Sequence, residues 1–416
     1  MRILINGINF SPELTGIGKY SGEMAEWLAA RGHEVRVVTS PPYYPEWRVA
    51  KGYQAWCYKK ELSRGKGNEK GDNLVVWRCP LWVPAHPSGL KRLIHLTSFA
   101  LSSFPVMLRQ IVWKPDVVMV IEPPLVCAPS AWLVAKLCGA QTWLHVQDFE
   151  VNAAFDLGIL PPGRLRSVVL RIESKLMQAF SRVSTISSNM LKKLLAKGVG
   201  EEKSILFPNW VDLDAIFPLD KISSFRVELG IAPTEIVALY SGNMGEKQGL
   251  EVVLDAAREL EGQPHIKFVL CGDGSARYRL VQAYGSLPNV MWLPLQPVER
   301  LNDLLNLADV HLLPQRADVA DLVMPSKLSG MLASGKPVVG TANPGTEVAN
   351  IVQMCGVITN PGDASALARA LLQLANDGAM RAFLGERART YALEHFERDA
   401  VLEKFEHRLI DLLVMK

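Results

Sequence analysis

Paired cysteines, an export signal and a membrane span are all missing from this chain. Six cysteines, Cys57, Cys79, Cys127, Cys138, Cys271 and Cys355, are scattered over 416 residues with no C-x-x-C pair. That argues against a zinc site and a disulfide framework, and fits a reducing compartment. The opening MRILINGINF has no basic region, long apolar run or small-residue cleavage site, so it reads as a strand rather than a signal peptide. No uncharged apolar run reaches the roughly 18 residues of a bilayer span. No Asp-x-Asp pair and no His and Cys cluster has a convincing metal-ligand setting, so no metal and no other cofactor is expected. A cytoplasmic chain follows, soluble or peripheral, with no nucleic-acid partner.

What is present is enough apolar sequence for two cores. At 416 residues, 49% apolar and 21% charged, the chain has the composition of a globular protein and the length of two domains. Its net charge of +3 divides into roughly +8 up to Ala215 and −5 beyond it. The basic half suits an anionic partner, a phosphorylated substrate or a membrane surface, or is an ordinary solvated surface. Apolar runs of strand length alternate with helix-period segments throughout, the pattern of parallel sheets covered by helices, so the class is α/β.

Strands are expected at Arg2 to Asn9, Glu34 to Thr39, Asp116 to Ile121, Gln141 to Val146 and Arg182 to Ile186. A second series follows in EIVALYSG, HIKFVLCG, NVMWLPL, ADVHLLP and KPVVGT. Lys59 to Asn73 reads as a surface loop. The junction is placed near Asp212 to Pro218, giving domains 1–214 and 215–392, and a terminal helical stretch in 393–416 is free to cross back onto the first domain. From Leu90 to Ile111, apolar residues at helical spacing with Lys91, Arg92 and Arg109 beside them are either a packed core helix, kinked or divided at Pro105, or a surface that rests on lipid.

Glycine-rich turns carry the chemical signal. In NFSPELTGIGKYSGEMAEWL, Gly16 and Gly18 precede a helix, so backbone amides and the positive helix end offer a phosphate site, although the dinucleotide fingerprint is incomplete at Ser21. The second half repeats strand, turn and helix in IVALYSGNMGEKQGLEVVL, where Gly242, Asn243, Gly245 and Gly249 shape the turn and Lys247 supplies a cation. Next come the Gly272-Asp273-Gly274 turn and PSKLSG, where Ser326 suits a helix cap and Lys327 lies in the first turn against the helix dipole, tolerable beside a bound anion. His145, Asp148 and Glu150 follow or end a strand at the sheet edge, as acid, base or hydroxyl-binding groups or as structural residues.

Through PELTGIGKY, LFPNWVD, YSGNMGEKQGL, CGDG and PSKLSGMLASGKPVV, over essentially its whole length, the sequence resembles the retaining glycosyltransferases of family 4, which have the GT-B fold. The resemblance implies two Rossmann-like domains facing across a cleft, with acceptor on the first and nucleotide sugar on the second. Within that family it looks most like the fucosyltransferases of colanic-acid biosynthesis in enteric bacteria. This implies GDP-fucose as donor, a lipid-diphosphate-linked glycan as acceptor and the inner membrane face as workplace. Carried over by motif, Gly16, Gly18, Gly242, Asn243, Lys247, Gly272, Ser326 and Lys327 surround the donor, and His145 or Asp148 stands at the active-site position. The family commonly has two glutamates with seven residues between them. Here the second position is Gly330, and the first is Leu322 with Asp321 alongside as a substitute. Other classes consistent with the pattern are a sugar-nucleotide 2-epimerase and a non-catalytic scaffold of polysaccharide assembly.

Overall fold

The computed structural model describes residues 1–63, 73–86, 88–156, 164–317 and 325–414. The chain divides into two compact units, Met1–Pro208 with Leu402–Lys416, and Asn209–Val401. Each is organised by one sheet.

The strands of the first unit are β1 (Arg2–Asn6), β2 (Glu34–Thr39), β3 (Lys59–Ser63), β4 (Leu74–Arg78), β5 (Val117–Glu122), β6 (Gln141–Val146), β7 (Arg182–Thr185) and β8 (Ser204–Leu206). Their spatial order is β3-β4-β2-β1-β5-β6-β7-β8, and the pairs are parallel except β3 with β4. Central parallel strands are covered on both faces, which is why β5 is an apolar run, VVMVIE, buried at every residue. The edge strand β3, KKELS, has no such pattern, and part of the segment expected as a loop is therefore a strand. The Glu61 carboxylate on β3 accepts a hydrogen bond from Arg78 Nε at 3.1 Å, and the charged edge discourages pairing with other chains. The rest of that expected loop, residues 64–72, lies outside the described residues.

The apolar segment after β4 forms one continuous helix, Gly89–Arg109, that Pro105 does not divide. His95, Phe99, Ser103 and Val106 are buried along one face. Leu90, Ile94, Leu101 and Phe104 are 69%, 48%, 71% and 41% exposed, so the helix has a packed face and a second, uncovered apolar one.

The second unit contains β9 (Ile236–Ser241), β10 (Ile266–Cys271), β11 (Val290–Leu293), β12 (Val310–Leu313), β13 (Val338–Thr341) and β14 (Gly356–Thr359), in the order β11-β10-β9-β12-β13-β14 and all parallel. Its main core packs Leu254, Ala257, Leu280 and Leu371 around Tyr240, Phe268 and Leu270.

The last helix, Arg398–Val414, belongs to the first unit from Leu402 onward. There Phe405 meets Trp143 edge-on at 5.1 Å and stacks on Phe207 at 4.3 Å. The Glu406 carboxylate accepts from Arg31 Nη2 at 3.1 Å and pairs with His33 Nε2 at 2.7 Å. Burial pushes this carboxyl up, but the hydrogen bonds from His33 and Arg31 outweigh burial and hold it below its ordinary value. Glu406→Ala is expected to lower the unfolding free energy by about 2 kcal/mol in chemical denaturation. Because the folded pKa is depressed, the contribution is complete above the unfolded carboxyl pKa and is lost as the pH falls through the folded one. Wild-type and variant stabilities should therefore converge in acid.

Candidate active site

In an open parallel sheet, ligands collect at the carboxyl ends of the strands, where the strand order reverses and neighbouring loops diverge. The reversal falls at β1, between β2 and β5, in the first unit, and at β9, between β10 and β12, in the second.

In the second unit the turns leaving β9 and β10 lie directly on each other. Gly242 has φ +138° and donates its N–H to the Cys271 carbonyl at 3.0 Å. A Cβ on Gly272 would fall 1.9 Å from the Gly242 carbonyl oxygen, and one on Gly274 would fall 2.5 Å from Asn243 Oδ1. These glycines are therefore demanded by the contact of two loops, a reason invisible in the sequence. The Met244 N–H donates to the Asp273 carbonyl at 2.8 Å and the Tyr240 hydroxyl to the Asn243 carbonyl at 2.5 Å, which holds the turn while Asn243 stays exposed at its rim.

Lys327 comes up against this turn from the helix Ser326–Ala333. Its Cδ lies 3.5 Å from where a Gly242 Cβ would stand, and its Nζ lies 4.2 Å from the centre of the Tyr240 ring. The residue is half-buried, but Nζ is sealed from solvent and meets no hydrogen-bond acceptor among the described residues. Burial pushes its pKa down to about 7. An aromatic face offsets part of a desolvated charge, and an anion would offset the rest. Ser326 is exposed and does not cap the helix as expected: Pro325 holds the N-cap position and no side chain caps it. Lys247 falls within the single turn Glu246–Gln248; its side chain, like Asp321, lies outside the described residues. At Gly330 a Cβ would make ordinary contact with Leu305 at 3.5 Å, so glycine is not a steric requirement there.

In the first unit the turn leaving β1 is built around Glu13, which the sequence did not mark. This carboxylate, 6% exposed, accepts the N–H groups of Tyr43 and Tyr44, each at 3.0 Å, and the side-chain amide of Asn9 at 2.9 Å. A Cβ on Gly18 would lie 2.3 Å from Glu13 Oε2, so Gly18 makes room for the carboxylate. Gly16, at φ +61°, supplies the left-handed residue that opens the helix Gly16–Ala30. Arg78, 4% exposed, ties neighbouring loops together by donating to the carbonyls of Ser11 at 2.5 Å and Ser40 at 3.1 Å.

His145 sits inside β6, 3% exposed, with Nδ1 2.8 Å from Ser184 Oγ and Nε2 2.9 Å from the Gln147 amide nitrogen. Burial pushes its pKa down to about 3. An amide nitrogen donates to Nε2, so Nδ1 carries the proton to Ser184, and both ring nitrogens are engaged within the unit. Asp148, half-buried just beyond β6, accepts the Glu150 N–H on its carbonyl at 3.0 Å.

Beside Asp148 lies a carboxyl cluster of which the sequence marked Glu150, with one further signal, a glutamate closing an apolar strand before two prolines. Glu122 is fully buried and neither carboxyl oxygen has a hydrogen-bond partner among the described residues. Glu150 accepts the Leu125 N–H at 3.0 Å. Lys197 bridges Glu173 Oε2 at 2.5 Å and Asn152 Oδ1 at 2.7 Å. Burial, then the charges of Glu150, Glu173 and Asp148, push the Glu122 carboxyl well above its ordinary value against the opposing pull of Lys197. A raised folded pKa means the native state holds a proton that the unfolded chain releases, so this site loses stability as the pH rises above the unfolded carboxyl value. Glu122→Gln, which imitates the protonated acid, should raise the melting temperature at mildly alkaline pH and leave it nearly unchanged in acid. Thermal melts across that range check it.

The same chain path occurs in solved structures. Sucrose-phosphate synthase from Thermosynechococcus elongatus matches with a TM-score of 0.75 at 18% identity, over 100% of both chains. Anabaena Alr3699/HepE, solved in complex with UDP, matches with a TM-score of 0.69 at 16% identity, over 99% of this chain and 100% of that one. Both sheets thus follow the GT-B fold of glycosyltransferases. In sequence, a glycosyl transferase 4-like domain matches residues 15–210 and a glycosyl transferases group 1 domain matches residues 221–391. The putative colanic acid biosynthesis glycosyl transferase WcaI of Escherichia coli strain K12 is 44% identical over 96% of each chain. The chain belongs to the group 1 glycosyltransferases, with a glycosyl transferase 4-like N-terminal half.

Proposed function

We propose that this enzyme moves fucose from GDP-fucose onto a growing lipid-diphosphate-linked glycan during assembly of a colanic acid-like exopolysaccharide, retaining the configuration of the sugar. The observation that carries donor binding is the Lys327 ammonium, buried against Tyr240 and the Gly242 turn without a counter-charge. The name of the E. coli relative supports the polymer. The sugar and base rest on the resemblance in NFSPELTGIGKYSGEMAEWL and SGNMGEKQGLE.

Glycosyl transfer requires stabilising an oxocarbenium-like transition state while a nucleoside diphosphate departs, and preorganised cations and amides aimed at the phosphates meet that need. In this reading Lys327 and Lys247 neutralise the leaving diphosphate, the uncapped helix at Ser326 offers N–H groups, and Asp148 stands near the acceptor. No metal is part of the proposal.

Lys327→Met should keep the fold, since a sealed unpaired ammonium is replaced by an apolar chain of similar length. It should cost roughly 1.5–3 kcal/mol of transition-state stabilisation, about ten- to a hundredfold in kcat/KM. Saturating GDP, at about 100 times its dissociation constant, should stabilise the wild type by about 2.7 kcal/mol and the variant far less. Binding of the diphosphate favours the charged amine, so GDP affinity should weaken as the pH rises through about 7. Stabilisation by UDP, dTDP or ADP sugars instead of GDP-fucose would reassign the base, and turnover of donor without acceptor would mark an epimerase.

The acceptor side of the proposal includes the inner face of the membrane. Residues 74–115 contain no Asp or Glu, and Lys91, Arg92, Arg109 and Lys114 are exposed beside the uncovered Leu90, Ile94, Leu101 and Phe104. No helix among the described residues is long and apolar enough to cross a bilayer, so contact here is peripheral. Leu101→Glu should reduce co-sedimentation with phosphatidylglycerol vesicles severalfold without altering the melting temperature. Unchanged sedimentation would remove the membrane from the proposal.

A further inference from the structure

A groove of about 590 Å³ opens in the first unit between the loops that leave β2 and β4. Trp47, Trp56 and Trp82 line it, with Leu81 as an apolar wall and Glu46 and Arg48 alongside. Its size suits a small ligand, and it is a built feature rather than a gap between mobile loops. The Leu81 N–H donates to the Ala55 carbonyl at 2.7 Å, joining the two walls, and the Ala50 N–H donates to the Pro42 carbonyl at 2.8 Å, closing the β2 loop on itself. Trp47 is held at φ +51°, a conformation that bulky side chains rarely adopt and that surrounding structure must enforce.

Behind the indoles stands His95, 1% exposed, with its ring 5.3 Å from Trp47 and 4.7 Å from Tyr43. Its Nδ1 lies 2.7 Å from the Trp82 carbonyl oxygen. A carbonyl only accepts, so Nδ1 carries the proton and Nε2 is left as an acceptor, with no partner among the described residues. Both groove loops leave the carboxyl edge of the sheet, as does the Gly16 turn. Glu13 of that turn holds the N–H groups of Tyr43 and Tyr44, so the groove and the turn share one scaffold.

We infer that this groove is a saccharide-binding site that seats a pyranose of the acceptor glycan on its tryptophans. A pyranose presents an apolar C–H face and a rim of hydroxyls. Flat indoles complement the face, while Glu46 and Arg48 supply an acceptor and a forked donor for the rim. An acyl chain needs neither charged group. Trp56, 69% exposed, leaves a large apolar surface uncovered until a ligand covers it. The inference rests on the glycosyl-transfer reading and adds the subsite that recognises what is already on the acceptor.

The test is binding of the full-length protein to a printed array of bacterial and plant oligosaccharides, run beside thermal shift with GDP and UDP. The wild type is expected to bind a subset of pyranosides. Trp56→Ala and Trp82→Ala should weaken those signals about tenfold, Trp56→Phe should restore most of the Trp56 loss, and stabilisation by nucleotide should be unchanged in all three. Because Trp56 is largely exposed, its variant keeps the test valid if Trp82→Ala fails to fold. Stabilisation by nucleotide with no glycan bound, or glycan binding that survives both tryptophan substitutions, overturns the groove and leaves the enzyme reading intact. Loss of phosphatidylglycerol vesicle binding in Trp56→Ala with glycan binding unchanged assigns the groove to lipid and also overturns it. Absence of any nucleotide effect would instead count against the reading on which the groove depends.

Discussion

A strand that must lie parallel to its neighbour can be reached only by a crossover, so every strand of such a sheet starts at one edge and ends at the other. Both units obey this rule, apart from the short antiparallel strand β3. Much follows from it. The strand interiors are covered on both faces and are apolar, and polar side chains collect where the strands stop. Asn6 and Glu122 end β1 and β5, Arg78 ends β4, and the glycine turns follow β9 and β10. In each unit the candidate site residues stand at or just beyond that edge.

Packing at that edge explains the glycines more fully than ligand approach does. Gly272 and Gly274 admit the neighbouring turn, Gly18 admits the Glu13 carboxylate, and Gly242 supplies a backbone at φ +138°. A turn packed this closely against another has little freedom to move, so its backbone geometry is fixed by the packing itself.

This division accounts for what the sequence revealed and what it hid. Strands β1, β2, β5, β6, β7 and β9 to β13 were legible as short, largely apolar runs, several of them, such as β5 and β12, buried at every residue. Strand β3 was not, because an edge strand of Lys and Glu has the composition of a loop. Strands β4, β8 and β14 went unread as well: β8 has only three residues, and no residue of β8 or β14 is buried. Lys327 stood out in the sequence through its conflict with the helix dipole, and the structure seals its Nζ against Tyr240. His145 was ambiguous in the sequence because a histidine near a strand end looks the same whatever its nitrogens face; here they face Ser184 and Gln147. Glu13 and Glu122 stayed hidden because their partners, Tyr43 and Tyr44 in one case and Glu150, Glu173 and Lys197 in the other, are distant in sequence. Three-dimensional proximity of that kind leaves no local pattern.

The stretch from Leu402 onward completes the first unit, with Phe405 set against Trp143 and Phe207, and Glu406 between Arg31 and His33. During synthesis those residues leave the ribosome only after the whole of Asn209–Val401. The N-terminal unit must therefore wait, incomplete, while the later one is made and free to fold first. The order of translation and the order of completion are reversed in this chain, and a nascent-chain chaperone would find its longest-lived client surface on the half that emerged earliest.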